Sequence, residues 1–360
     1  MAAISAAPAA FAAQPPRTIE NITRDPRYYI GWPTMVRRKN GQLLVVWSGG
    51  RESHVCPFGR VEMMRSNDEG RTWTWPEVLM DSPIDDRDAG VLETQKGTLL
   101  VSTFTSLAYE PILAKAKDWL PERLSRWQGA HTRATAEQRK ALLGCWLLRS
   151  TDGGMTWSAP FRVPVNSPHG PIALANGRLL YPGKQLWEGG KSGVAESTDD
   201  GITWRWLSEF PTRPGDKFEQ YHELHGVEAS AGRIVVHIRN HNKTNADETL
   251  QSESTDGGRT WTMPHAIGVW GLPSHLLRLR DGRLVMTYGY RRPPFGNQAR
   301  VSKDEGRTWS EPVTISADGI RVDLGYPSTV ELNDGTLATA WYEQMGHSPA
   351  AALRFARWSL

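Results

Sequence analysis

The sequence predicts an all-β fold, a six-bladed β-propeller with a helical insertion in its second blade, from two interleaved repeats and one helix-periodic stretch between them. The first repeat is an octad: SNDEGRTW at 66, STDGGMTW at 150, STDDGITW at 197, STDGGRTW at 254 and SKDEGRTW at 302. Its copies start 84, 47, 57 and 48 residues apart, the spacing of a four-stranded unit with one long gap. The second repeat is a short apolar run behind a glycine turn: NGQLLVVW (40–47), KGTLLVS (96–102), NGRLLY (176–181), AGRIVVHI (231–238), DGRLVMTY (281–288) and DGTLATAW (334–341).

A glycine turn between two β-rich stretches is a hairpin signal. Each unit therefore reads as strand a, tight turn, strand b, strand c, octad turn and strand d. The sixth unit has no octad, because the chain ends soon after DGTLATAW. Its C-terminal stretch ALRFARWSL is expected to pair with an N-terminal strand near residues 27–30, which closes the ring and hides both edges.

The long gap is filled by residues 107–143. Ile112, Ala116, Trp119, Leu120, Leu124 and Trp127 recur at three- and four-residue steps, a helical period interrupted by Pro121. Thr135 with Gln138 is a capping box that starts a second helix running to Leu143. Because this excursion follows strand b of the second blade, it is expected on the same face as the functional mouth.

Composition narrows the class of partner. Forty-two basic against thirty-nine acidic residues leave a net charge of +3, which gives no footprint for nucleic acid. Two cysteines, Cys56 and Cys145, signal no disulfide framework. No stretch of eighteen apolar residues exists to span a membrane. The N-terminal MAAISAAPAAFAAQPP has the small residues and A-x-A character of the end of a signal peptide without its basic start. Residues 1–20 thus read as a signal-peptide remnant or disordered tail and 21–360 as the propeller, and the export reading implies a secreted or periplasmic protein.

Five octads cannot all be one active site. Their residue types suit a turn: an Asp that accepts backbone N–H groups, Gly where φ is positive, and a Trp that plugs the space between strands. In these octads the chain resembles the sialidase (neuraminidase) superfamily, whose members carry such Asp boxes as scaffold on six-bladed propellers, and the resemblance spans about residues 28 to 360. Function is expected on the face opposite the octads, where strands a begin and strands b end. That rim collects Trp32, Arg51 and His54; Arg87 and Asp88; His169 and Lys184; Glu223, His225, Arg239 and His241; His275, Arg291 and Arg292; Tyr326, Tyr342 and Glu343.

Within that rim, DLGYPSTVELNDGTL followed by WYE is similar to the family stretch bearing a nucleophilic tyrosine, here Tyr326. ELHGVEASAGRIVVHIR resembles the stretch that carries the glutamate acting as its base and, one hairpin later, a substrate-binding arginine; these are Glu223, with Glu228 as a competing match, and Arg239. YGYRRPPFG offers Arg291 or Arg292, with Arg292 slightly preferred, as a second arginine for a substrate carboxylate. The pattern is broken twice. Gly31-Trp32-Pro33 stands where the family has Arg-Ile-Pro, and His54 falls where it keeps an acid/base aspartate. An imidazole, with an ordinary pKa of about 6.5, can take that acid/base role.

The resemblance implies an exo-glycosidase that removes a terminal acidic sugar, sialic acid or a relative, from a glycan. Tyr326, Glu223 and His54 are then catalytic, and Arg51, Arg239, Arg291, Arg292, Asp88, His169, His275 and Trp32 bind substrate. No cofactor is implied. The histidines lack the short spacing of zinc motifs, so no metal is expected. Trp32, Trp187 and Trp270 offer faces for a sugar. Two alternatives remain: a uronate-directed polysaccharide lyase or rhamnosidase-like propeller using His54, and a non-catalytic glycan-binding propeller.

Overall fold

A computed structural model describes residues 18–23, 27–344, 346 and 350–360. Strand β1 (Ile19–Asn21) and the strands after it form six four-stranded antiparallel sheets in a ring. Blade 1 holds β2 (Tyr29–Arg37), β3 (Leu43–Arg51), β4 (Arg60–Ser66) and β5 (Glu77–Met80); blade 2 holds β6 (Asp85–Glu93), β7 (Leu99–Ser106), β8 (Cys145–Ser150) and β9 (Phe161–Arg162). Blade 3 holds β10 (Ile172–Ala173), β11 (Leu179–Lys184), β12 (Ser192–Ser197) and β13 (Arg205–Glu209); blade 4 holds β14 (Tyr221–Ser230), β15 (Arg233–Asn240), β16 (Glu248–Ser254) and β17 (His265–Trp270). Blade 5 holds β18 (Ser274–Arg278), β19 (Leu284–Tyr290), β20 (Phe295–Ser302) and β21 (Val313–Gly319). Blade 6 holds β22 (Leu324–Glu331), β23 (Leu337–Gln344) and β24 (Ala351–Trp358), with β1 as its fourth strand.

The ring closes where β2 packs against β22, and where Glu20 pairs with Phe355 across β1 and β24. The closing strand is therefore 19–21. Residues 29 and 30, expected in that role, instead begin β2, the innermost strand of blade 1. Tyr29 and Ile30 are buried there, and the shorter β1 meets the exposed outer edge.

The strand-b runs are unbroken apolar segments because both of their faces are covered. In β3, Leu43, Val45 and Trp47 pack in the core shared with blade 6, while Leu44 and Val46 pack in the core shared with blade 2. Strand β15 repeats this, with Ile234, Val236 and Ile238 on the blade 3 side and Val235 toward blade 5. Side chains of alternate sign along a strand point to opposite faces, so two buried faces require a continuous apolar run.

The octads are turns between strands c and d, and they also staple blades together. In the first, Thr72 N–H and Oγ1 donate to the two oxygens of Asp68 (2.9 and 2.6 Å), Ser66 Oγ donates to Asp68 (2.8 Å), and Gly70 N–H donates to Ser66 Oγ (2.8 Å). These bonds hold the Asp68 carboxyl down at about 2, the Thr72 hydroxyl contributing most. Glu69 and Gly70 both have positive φ, 59° and 86°, which explains the recurring glycine. An arginine of the preceding blade then reaches the next octad: Arg65 donates to Gly153 and Gly154 carbonyls, Arg149 to Asp200, Arg178 to Gly257 and Arg233 to Glu305.

The insertion forms α1 (Glu110–Ala114), α2 (Pro121–His131) and α3 (Ala136–Leu142), with Pro121 as the first residue of α2 and the Thr135–Gln138 capping box in place. Trp127, Tyr109, Cys56 and Ile84 make its small core. Leu120, expected on the apolar stripe, precedes α2 and is exposed. Glu52 pins the insertion to blade 1 by an ion pair with Arg123 (2.6 Å) and by accepting from Arg126 (2.8 Å) and Trp127 Nε1 (3.1 Å).

Candidate active site

Four bulky residues at the starts of inner strands have left-handed backbones: Trp32 (φ 57°), Asp88 (44°), Glu223 (40°) and Tyr326 (53°). Each lies at a register slip in the pairing of its blade's two inner strands. Such a conformation costs on the order of 1–3 kcal/mol per residue and clusters where function demands it. Here it turns side chains from blades 1, 2, 4 and 6 toward the ring axis.

Tyr326 and Glu223, 103 residues apart, are joined there: Tyr326 OH donates to Glu223 Oε1 (2.6 Å). Arg239 Nη1 bridges them, donating to Glu223 Oε2 (2.5 Å) and to the Tyr326 oxygen (3.1 Å). Burial pushes the Glu223 carboxyl up, but the Arg239 charge and the bonds from Tyr326 and Arg239 outweigh it and hold the group below its ordinary value. Burial, then the Glu223 charge, push the Tyr326 phenol well above 10. The resting pair is thus a neutral phenol on an ionised carboxylate, with a guanidinium placed to stabilise a developing phenolate. His241 Nε2 accepts from Arg239 Nε (2.8 Å) and so fixes the guanidinium from behind. Glu228, the competing match, lies at the far turn, where it accepts from Ala175 N–H (2.6 Å) and Gly232 N–H (3.3 Å).

Asp88 is buried beside this group, and its Oδ1 has no hydrogen-bond partner. Burial raises its carboxyl to about 7, countered in part by Arg87 and reinforced by the Glu223 charge. It is therefore poised to exchange a proton near neutrality.

Arg291 donates to the Leu324 carbonyl through Nε (3.1 Å) and Nη2 (2.9 Å) and stands 5.9 Å from the Tyr326 ring centre. With Arg239, Arg292, Asp247 and Trp270 it lines a cavity of about 270 Å³. Arg292 lies over the half-exposed Trp270 ring, 5.2 Å from its centre, so Arg291 is the one directed at the tyrosine.

His54 is half-exposed on the loop after β3. Its Nδ1 lies 2.8 Å from Tyr29 OH and 3.2 Å from Asp323 Oδ1. Its ring meets Trp32 edge-on at 4.9 Å, and Trp32 in turn lies 6.5 Å from Tyr326. Of the three residues expected to be catalytic, Tyr326 and Glu223 are bonded to each other, and His54 stands beside them with the Trp32 ring between it and the tyrosine.

Four expected binding residues are placed elsewhere. Arg51 is fully buried and committed to Asp85 (2.6 and 2.9 Å) and the His54 carbonyl (2.9 Å), so it holds the His54 loop rather than facing the mouth. Trp32 is only 1% exposed, enclosed by Tyr29, Tyr342, Arg51 and Arg87, so it offers a sugar no face. His169 and His275 are buried on the axis with His225, the three ring centres 4.5 to 5.3 Å apart. They form the closed end of a cavity of about 550 Å³ whose other lining residues, such as Arg37, Gln95 and Glu331, belong to the opposite face. Burial holds all three rings neutral, and His225 Nδ1 accepts the Leu276 N–H (2.9 Å). Among the described residues no cluster of His, Cys, Asp or Glu is arranged to hold a metal, and no helix is long and apolar enough to cross a membrane.

Sequence reasoning missed Asp323. It opens the DLGYP stretch that carries Tyr326, yet nothing in spacing ties it to a histidine 269 residues away.

A ring of Asp-stapled four-stranded blades with a Tyr–Glu–Arg cluster on its axis defines a propeller of the sialidase superfamily. Residues 122–339 match the BNR repeat-like domain, and the chain belongs to that family. It is 30% identical over 254 residues to a xyloglucanase of a Paenibacillus species, covering 61% of this chain and 24% of that protein. It is 27% identical over 215 residues to the sialidase of Micromonospora viridifaciens, covering 47% of this chain and 31% of that one. The chain thus spans about a quarter to a third of the length of these two curated relatives. Among solved structures, a protein of unknown function from Dyadobacter fermentans superposes with TM-score 0.76 at 23% identity, covering 95% of this chain and 98% of that one. A Hadza microbial sialidase gives 0.68 at 17%, covering 92% and 66%; these two likenesses are of fold.

Proposed function

We propose that the protein is a glycoside hydrolase that removes a terminal acidic sugar from glycans, with sialic acid or a close relative as the sugar. The observation that carries this reading is the hydrogen-bonded cluster of Tyr326, Glu223 and Arg239. An anomeric carbon that bears a carboxylate repels an anionic nucleophile, so a neutral phenol suits it. As the phenol oxygen bonds to that carbon, its proton passes along the 2.6 Å bond to Glu223. Arg239 steadies the negative charge that develops on the Tyr326 oxygen as its proton leaves, and Arg239 with Arg291 holds the substrate carboxylate beside the small cavity. His54 protonates the departing glycosidic oxygen and later deprotonates the water that displaces the Tyr326 oxygen from the anomeric carbon, and that oxygen takes its proton back from Glu223.

Both kinds of curated relative are named as glycan-degrading enzymes, which supports a glycan partner, and an exported location would place the protein with such substrates. The test is incubation with 4-methylumbelliferyl N-acetylneuraminate, then with 2,3-difluorosialic acid and mass analysis of the Tyr326 peptide. Turnover abolished in Tyr326→Phe, with a glycosyl adduct on Tyr326, is the expected result. No release from any acidic aryl glycoside overturns the reading.

The His54–Asp323 contact also favours a second reading, a uronate-directed lyase in which His54 moves the proton and the arginines neutralise the uronate. Its product would carry an ultraviolet-absorbing double bond, and absence of that absorbance over uronate polysaccharides removes it.

A further inference from the structure

We propose that Asp323 is a positioning residue that fixes His54 in the tautomer with the proton on Nδ1, leaving the lone pair on Nε2 of this half-exposed ring. This rests on the reading of His54 as the proton-transfer group, but the geometry stands by itself.

Asp323 sits just before β22, and three groups converge on its carboxylate. Tyr342 OH donates to Oδ1 (2.8 Å), Tyr29 OH donates to the carboxylate (2.9 and 3.0 Å), and His54 Nδ1 lies 3.2 Å from Oδ1. Burial pushes this carboxyl up, but the bonds from His54, Tyr342 and Tyr29 outweigh it and keep it below its ordinary value. It is therefore an acceptor only. Burial drives both phenols up, so both are neutral and each has one proton to give.

That proton count decides the tautomer. If Tyr29 gave its proton to His54 Nδ1, a nitrogen lone pair would face a carboxylate oxygen at 3.2 Å, and the buried carboxylate would lose a donor. If Tyr29 gives its proton to Asp323, its oxygen accepts Nδ1–H at 2.8 Å and all three groups are satisfied. The second arrangement leaves no lone pairs opposed. The ring meets Tyr29 (5.6 Å) and Trp32 (4.9 Å) edge-on, and a 180° flip would carry Nδ1 away from both Tyr29 OH and Asp323.

Functionally, a neutral ring in this state accepts a proton only at Nε2, and a charged ring donates it only from there. In the hydrolytic step the Nε2 proton goes to the glycosidic oxygen as the C–O bond breaks and its electron pair stays on that oxygen; the water that attacks next returns a proton to Nε2. Asp323 and Tyr29 touch neither substrate nor reacting atom.

The test is a long-range ¹H–¹⁵N correlation spectrum of the [¹⁵N]histidine-labelled full chain in alkaline buffer, with His54 assigned by its loss in His54→Gln. The wild type is expected to show the Nδ1–H pattern. In Asp323→Asn an NH₂ in the place of Oδ1 faces Nδ1 while the amide oxygen in the place of Oδ2 keeps the bond from Tyr29, and the pattern is expected to switch to Nε2–H, as it should in Asp323→Ala. Tyr29→Phe keeps the carboxylate and is expected to keep the Nδ1–H form, so it serves if the Asp323 variants do not fold. An Nε2–H pattern in the wild type, or an unchanged pattern in a folded Asp323 variant, overturns the proposal.

Turnover separates this from the wider reading. In Asp323→Asn, kcat/KM on 3′-sialyllactose, which reports the step that breaks the glycosidic bond, should fall about 100-fold. On 4-methylumbelliferyl N-acetylneuraminate, whose leaving group needs no protonation, kcat/KM should fall less than about 3-fold, and His54→Gln should show the same split. The expected spectra without turnover of either compound would leave the positioning intact and remove the sialidase reading; turnover with the wrong tautomer would do the reverse.

Discussion

Replacing Glu223 by Gln keeps the size of the side chain and removes its charge. Arg239, its partner at 2.5 Å, has a side chain only 14% exposed, and Glu223 itself is 21% exposed. Deleting one partner of a buried ion pair costs about 3–5 kcal/mol, because the remaining charge is left desolvated. The glutamine oxygen can still accept from Arg239 or from Tyr326, though not from both as two carboxylate oxygens do, so the low end, about 3 kcal/mol, is expected. For a chain of this size that lowers the melting temperature by roughly 5 °C in differential scanning calorimetry. The double variant Glu223→Gln, Arg239→Met removes the orphaned charge and should recover at least half of the loss. Equal melting temperatures for wild type and Glu223→Gln, or additive losses in the double variant, would refute the claim that these groups form one desolvated unit. Turnover should fall by about 10²–10⁴-fold in Glu223→Gln, the range for loss of a general base.

Three further outcomes follow from other parts of the ring. Asp86 and Asp88, buried on β6, have carboxyls raised by burial to about 8 and about 7 from an ordinary 3.8, so the folded protein holds these protons more tightly than the unfolded chain. Their contribution is fully present below pH ~4 and is lost as pH rises toward 7 and 8. At about 1.4 kcal/mol per pH unit, Asp88 alone accounts for at most about 4 kcal/mol, and denaturant midpoints should fall across this window less steeply in Asp88→Asn. Gly70→Ala places a Cβ 2.4 Å from the Phe355 ring at a backbone φ of +86°, where blade 1 meets the closing blade. It should cost at least about 2 kcal/mol by urea titration while kcat of the surviving folded protein stays unchanged. Trp270→Ala, which removes a half-exposed ring from the Arg291 cavity, should raise KM about tenfold on a disaccharide-linked substrate with kcat and melting temperature little altered.

The ring itself was legible in the chain because it repeats. Apolar runs behind glycine turns could be counted, and the Ser, Asp, Gly and Thr of each octad bond one another within a single turn, so their roles follow from local spacing. Tyr326, Glu223 and Arg239 were found through the stretches around them, and the winding of the blades placed them on one face. What spacing could not supply was depth along the axis. His169 and His275 share strand positions with rim residues, yet their rings turn inward to line the cavity of the opposite face. Arg51 and His54 lie three residues apart, and only the ion pair with Asp85 decides that one is interior and the other faces the mouth.

By itself, then, the sequence determined the number of blades and the site of the insertion, because each depends on contacts within a hairpin or a turn. The tertiary structure alone decided that Asp323 holds His54, that Trp32 is walled in and that the closing strand is 19–21, because each joins residues of blades that are distant in the chain and adjacent only once the ring is shut. Pairings of that kind leave no periodic trace.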